Sequence, residues 1–188
     1  MIYVSILEDS FRAVEESRNI NGVQHYYVRV FPVNKEDGTI KAVEVEFDHE
    51  PSAADIAEIE AQAVAREKAR KIAAIRVHDK SAAVNGFIYN GNEYWFDKQT
   101  RVGLANSIAI EKLAEKATTI IYCGDEAVEL GIADAEEFLK DLELYAIGCF
   151  RQTEAHIQAV NAMVSPYEIL AYDNTASYPE KIELVATA

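Results

Sequence analysis

Cysteine is nearly absent from this chain of 188 residues, and its scarcity excludes two designs at once. Cys123 and Cys149 are too few for a disulfide framework and do not form a CxxC pair, so neither a stapled secreted domain nor a thiol redox motif is expected. Both read as reduced, partly buried thiols. Bases are also scarce: 18 Lys and Arg stand against 32 Asp and Glu, a formal net charge of -14. A field of that sign repels phosphates and anionic headgroups, which argues against nucleic acid and against a membrane surface as partners. No apolar run approaches bilayer-spanning length, and the opening residues lack the basic start and apolar core of a signal peptide. A cytoplasmic location in the cell that makes the protein is the expectation. Internal repeats, low-complexity tracts and flexible linkers are missing as well.

The motifs that announce chemistry are not there. The chain has no GxSxG, no GxxxxGK, no GxGxxG and no HExxH. Its four histidines, His25, His49, His78 and His156, are scattered. Asp48-His49-Glu50 has metal-ligand residue types but no companion ligands, so neither a metal nor a cofactor is expected. Cys149 and His156 share one side of an expected helix, yet seven residues separate them by about 10 Å of rise, too far for a hydrogen-bonded nucleophile pair. The carboxylate neighbours Glu15-Glu16, Glu136-Glu137 and Asp141/Glu143 read as solvated faces. No catalytic residue is assigned, and a non-enzymatic protein is expected. A small enzyme or metal-binding protein built on Cys149 and His156 is the alternative of a different class.

What the chain does contain is core material: 49% hydrophobic residues, with ten Tyr and seven Phe. Their order predicts an α+β fold in three parts: a small antiparallel β module (1–51), a long connecting helix (52–80), and a helical domain with β-hairpins (81–188). In the first part, Tyr26 to Phe31 is rich in strand formers, Asn21-Gly22 and Asp37-Gly38 are turn signals, and Ala42 to Phe47 alternates apolar with acidic residues. Ser52 and Asp55 form a capping-box-like start to a helix over 53–78, which has no Gly or Pro and carries its acids early and most of its bases late. Arg66 and Arg70 interrupt its heptad seam, which argues against a self-contained coiled coil.

In the third part, Phe87 to Phe96 predicts a hairpin turning at Asn90-Gly91. Asp97 is placed as the cap of a helix over 98–116. A strand over 118–122 turns at Gly124-Asp125 toward 127–130. Asp134 is placed as the cap of a second long helix over 135–164, with Phe138, Leu142, Tyr145, Ala146, Cys149 and Phe150 on one broad apolar face. A short helix from Pro166 and a final strand over 181–185 complete the reading. Trp95, with Phe87 and Tyr94, is expected to pack the hairpin onto the flanking helices, making truncation of Trp95 costly.

Several segments, in order, carry a family resemblance. They are Ile72 to Ile75, His78 to Phe87, Tyr94 to Arg101, Asp141 to Ala146, Thr153 to His156, and Ala171 to Lys181. Together, over residues 72–185, they resemble an uncharacterised domain family found in phage tail-fibre-associated proteins and in prophages of gut bacteria. Asp9 to Arg12 and Phe47 to Pro51 resemble the small β module that often precedes it. A shorter segment, Ala127 to Glu137, is similar to one in phage tail-fibre assembly chaperones. The resemblance implies a phage-structural setting and supplies no catalytic residue. The leading expectation is a tail-associated structural or assembly component, in the host cytoplasm or within the particle, acting by contact with a tail or tail-fibre protein. Self-association is a further partner class. A tail-fibre assembly chaperone is the alternative. Trp95, Tyr94, Phe87, Arg101, Tyr145 and His156 are the candidate interaction or core anchors, and all six fall within the shared segments.

Overall fold

A computed structural model describes residues 3–11 and 13–184. It has the expected α+β class: small antiparallel sheets, two long helices and short connecting elements. Parts of the sequence reading at residues 1, 2, 12 and 185–188, including the last position of the final strand, lie outside the described residues.

The first strands are β1 (Tyr3–Phe11), β2 (Glu15–Ile20), β3 (Val23–Asn34) and β4 (Ile40–Phe47). They form one antiparallel sheet in the order β1-β4-β3-β2. Asn21 and Gly22 both have positive φ, 53° and 83°, as a two-residue hairpin turn of matching twist requires. Alternation in β4 puts Val43, Val45 and Phe47 into a core with Val28 and Val30 of β3. Glu44 and Glu46, on the opposite and partly exposed face, are paired. Glu44 accepts from the Arg29 Nε (3.0 Å) and Nη2 (2.7 Å), and Glu46 lies 2.5 Å from His25 Nδ1. Arg29 is buried in β3, and its guanidinium also donates to Glu16 and to the Ala13 carbonyl.

Helix α1 (Ala53–Asp79) begins where the sequence places it. Ser52 N–H and Oγ both donate to Asp55 Oδ2, at 2.8 and 2.6 Å. The remaining elements are α2 (Ala82–Asn85), β5 (Gly86–Tyr89), β6 (Asn92–Trp95), α3 (Lys98–Leu113), β7 (Thr118–Cys123), β8 (Glu126–Gly131), α4 (Ile132–Ala162), α5 (Pro166–Ala171) and β9 (Glu183–Leu184). β5 pairs antiparallel with β6 and parallel with β9, while β7 and β8 form a separate hairpin. Asn90 and Gly91 take φ of 49° and 80° at the β5–β6 turn. Asp97 caps α3 by accepting from Thr100 N–H at 2.7 Å. Asp134 does not cap α4: the helix starts two residues earlier, leaving Asp134 in its acidic first turn, where the helix dipole favours it. Among the described residues no helix is long and apolar enough to cross a membrane.

The chain forms two compact units whose boundaries differ from 51 and 80. One contains residues 1–71 and 160–172, the other 72–159 and 173–188, so both long helices are divided between them. The physical reason is that the first turns of α1 are no free spacer. Ile59 and Ala63 pack into the core of the four-stranded sheet, with Ile56 against it. The segment 160–172 joins the same unit through polar contacts. Lys68 donates to the Asn161 carbonyl, Lys71 to the Leu170 and Tyr172 carbonyls, and the Lys41 ammonium sits 5.0 Å from the Tyr167 ring centre. The second unit has a larger core, with Val84, Phe87, Tyr89, Phe96, Ile108, Ile121, Phe138 and Leu142 at its centre.

The sheet unit carries an expected acid sensitivity. Hydrogen bonds from Arg18 and then Arg29 hold the Glu16 carboxyl down from 4.5 to about 2. Hydrogen bonds from Thr39 depress Asp37, and those from Ser52 depress Asp55. A carboxyl lowered on folding contributes stability that is complete above its unfolded value and lost as pH falls through its folded one. Stability is therefore expected to decline from about pH 4.5 toward pH 2, and Glu16→Gln should flatten that decline. Thermal melts of both proteins across this range check it; identical pH profiles would remove Glu16 from the account.

Candidate functional site

The six candidate anchors divide between core and surface. Phe87 is completely buried, and its ring meets those of Tyr94, Phe96 and Phe138 at centre distances of 5.9, 5.0 and 5.8 Å. Tyr94 packs against this core and donates its hydroxyl to Glu126 at 2.6 Å, a bond that pushes the phenol pKa upward. Tyr145 is buried, and its hydroxyl donates to the Val84 carbonyl at 2.6 Å. One turn on, the Cys149 thiol donates to the same carbonyl at 3.2 Å, so two α4 side chains latch onto one atom of α2. Cys149 has no exposed surface, and burial pushes its thiol pKa up, which disfavours the thiolate a nucleophile needs. Cys123 is likewise buried, and burial raises its pKa to about 11.

His156 is buried in a polar cluster of its own. Its Nε2 lies 3.0 Å from the Ala176 carbonyl, which can only accept, and 3.1 Å from the Gln152 amide. Its ring meets Tyr178 at 5.3 Å, and the Tyr178 hydroxyl lies 3.0 Å from Thr153 Oγ1, which donates to Asp79 at 2.7 Å. Cys149 and His156 thus face different partners two helical turns apart. Among the described residues no group of three or more His, Cys, Asp or Glu side chains is gathered to hold a metal ion.

Trp95 departs from the expectation. It is 44% exposed and belongs to no buried cluster. Strand geometry gives the reason: Tyr94 pairs with Phe87 across the hairpin, so Trp95, the next residue, must point to the opposite face. There it borders an open groove of about 540 Å³ within the second unit. Phe150, expected in the core stripe of α4, is 58% exposed and lines the same groove with Ile147, which is 39% exposed. Glu143, Ile147 and Phe150 follow one another at helical spacing, on a stripe beside the buried Leu142, Tyr145 and Cys149.

The opposite wall comes from the end of α1, from α2 and from the start of α3. Arg101 is 9% exposed and held by two bonds: Nε donates to Glu143 at 2.7 Å and Nη1 to the Phe96 carbonyl at 2.8 Å. Its Nη2 has no acceptor among the described residues. Lys80 and Lys98 also line the groove, are exposed, and make no hydrogen bond or ion pair with a described residue. The carboxylates are engaged: Asp79 by Thr153, Asp97 by the Thr100 N–H that lowers its pKa, and Glu143 by Arg101. Sequence reading missed Lys80, Lys98 and Ile147. The signal was an apolar band on α4, Ile147 and Phe150 beside the core positions, too wide for one buried stripe.

Because Trp95 is half exposed, Trp95→Ala is expected to cost about 1 kcal/mol, well short of a core truncation. Thermal melts check this; a loss of about 3 kcal/mol or more would return Trp95 to the core. Comparison with protein-family models, with curated proteins and with solved structures returns no match for this chain.

Proposed function

We propose that this protein is a tail-associated structural or assembly component of a phage or prophage, working by contact with a tail or tail-fibre protein and without catalysis. The observation that carries the contact role is the groove beside Trp95. It presents a Trp, a Phe and an Ile to solvent next to cationic donors that have no acceptor among the described residues, a combination typical of protein interfaces. The phage setting is supported by the ordered segments over residues 72–185. Against the enzymatic alternative stand the inaccessible Cys149, its raised pKa, and the separate partners of His156.

The test is induction of a host carrying the gene in its native setting, followed by separation of finished particles from free protein. A tail component is present in finished particles. An assembly chaperone is bound to a fibre protein yet absent from finished particles, which would select that alternative. Absence from both fractions overturns the proposal.

A further inference from the structure

The groove is electrically distinct from the rest of the chain. Three carboxylates and three cations line it, so its formal charge is zero in a protein whose net charge is -14. The two sets differ in availability. Each carboxylate already accepts a hydrogen bond from the protein, whereas Lys80, Lys98 and the Arg101 Nη2 have donors without an acceptor among the described residues. Arg101 is held in place from two sides at 9% exposure, so little side-chain freedom remains to be lost on binding. A fixed guanidinium beside an apolar shelf suits a carboxylate attached to an apolar group.

We propose that the groove binds an acidic, aromatic-containing peptide segment of a partner protein. A carboxylate of the segment meets the Arg101 Nη2 between Lys80 and Lys98, and a neighbouring aromatic or aliphatic side chain lies on Trp95, Ile147 and Phe150. This deepens the contact role proposed above and rests on it. A peptide fits better than a nucleic acid because it brings few negative charges to one cationic spot. A polyphosphate would bring charge along its whole length to an acidic surface.

Trp95 is the only tryptophan, so its fluorescence reports on the groove alone. The probes are the capped peptide acetyl-Phe-Glu-Phe-Asp-amide, its uncharged isostere acetyl-Phe-Gln-Phe-Asn-amide, and a short oligothymidylate, each titrated at low salt. The acidic peptide is expected to change the Trp95 emission, to bind more tightly than the isostere, and to weaken as salt is added. The variant Lys80→Glu/Lys98→Glu should bind it about tenfold more weakly. Both lysines are exposed and without partners among the described residues, so the variant should melt like wild type. Phe150→Ala, also at the surface, should weaken both peptides. Equal binding of acidic and neutral peptides, unchanged affinity in the charge-reversed variant, or a preference for oligothymidylate would each overturn the proposal. If the acidic peptide fails while the chain is found in tail particles, the peptide chemistry is wrong and the contact role stands. If it binds as expected while the chain is absent from particles and fibre complexes, the groove chemistry stands and the tail assignment falls.

Discussion

Phe87→Ala should destabilise the second unit by about 3–5 kcal/mol, the range for truncating a fully buried phenylalanine. The residue has no exposed surface and sits among three aromatic rings contributed by β6, the loop after it, and α4. Removing its ring leaves a cavity that Tyr94, Phe96 and Phe138 cannot all collapse into, because each is held by its own element. For a chain of this size the loss corresponds to a drop in melting temperature of roughly 10 °C. A natural stability of 5–15 kcal/mol makes that a large fraction of the whole. Calorimetry of wild type, Phe87→Ala and Trp95→Ala gives the decisive contrast. If the two variants melt alike, the division of the hairpin into a core face and a groove face is wrong.

Arg29→Ala carries the second large expectation, a loss of about 3 kcal/mol or more from the sheet unit. Arg29 is 2% exposed and holds the Glu44 carboxylate, whose side chain is itself 19% exposed, through two hydrogen bonds. It also binds Glu16 and the Ala13 carbonyl, tying the start of β2 to the sheet interior. Taking the guanidinium away leaves a half-buried carboxylate unpaired, and that uncompensated charge is the main cost. Arg29→Met combined with Glu44→Leu removes both charges and keeps much of the volume, so it should recover most of the loss. Chemical denaturation of the single and double variants separates the two effects. A double variant as unstable as Arg29→Ala would mean that the arginine acts chiefly through partners other than Glu44, among them Glu16 and the Ala13 carbonyl.

The parts of this fold that were legible in the sequence are those set by local physics. Asn-Gly pairs at 21–22 and 90–91 are turns because Asn and Gly tolerate positive φ. The Ser52–Asp55 pair and Asp97 start helices because their side chains satisfy backbone amides within one turn. The α+β class follows from periodicity in the same way. What was not legible depends on which face meets which neighbour. Helix α1 read as a spacer because its charges are mixed, yet Ile59 and Ala63 suffice to dock its first half on a sheet. Phe150 read as core because it is large and apolar, yet it lies off the stripe set by Leu142, Tyr145 and Cys149. Trp95 was different: the alternation of Tyr94, Trp95 and Phe96 already required it to point away from its neighbours. The groove itself joins residues 79 to 150 and has no linear signature.

The central claim is that the Trp95 groove is a contact surface for a phage tail protein. A photo-activated crosslinking residue at position 95, in the native host after induction, tests it most directly, with the same residue at exposed Leu113 as the control. The position-95 adduct, identified by peptide mass spectrometry, is expected to be a tail or tail-fibre protein joined through an acidic, aromatic-containing segment. No such adduct is expected from position 113. A position-95 adduct pattern identical to that of the control, or a single dominant adduct with a protein unrelated to the tail, would contradict it.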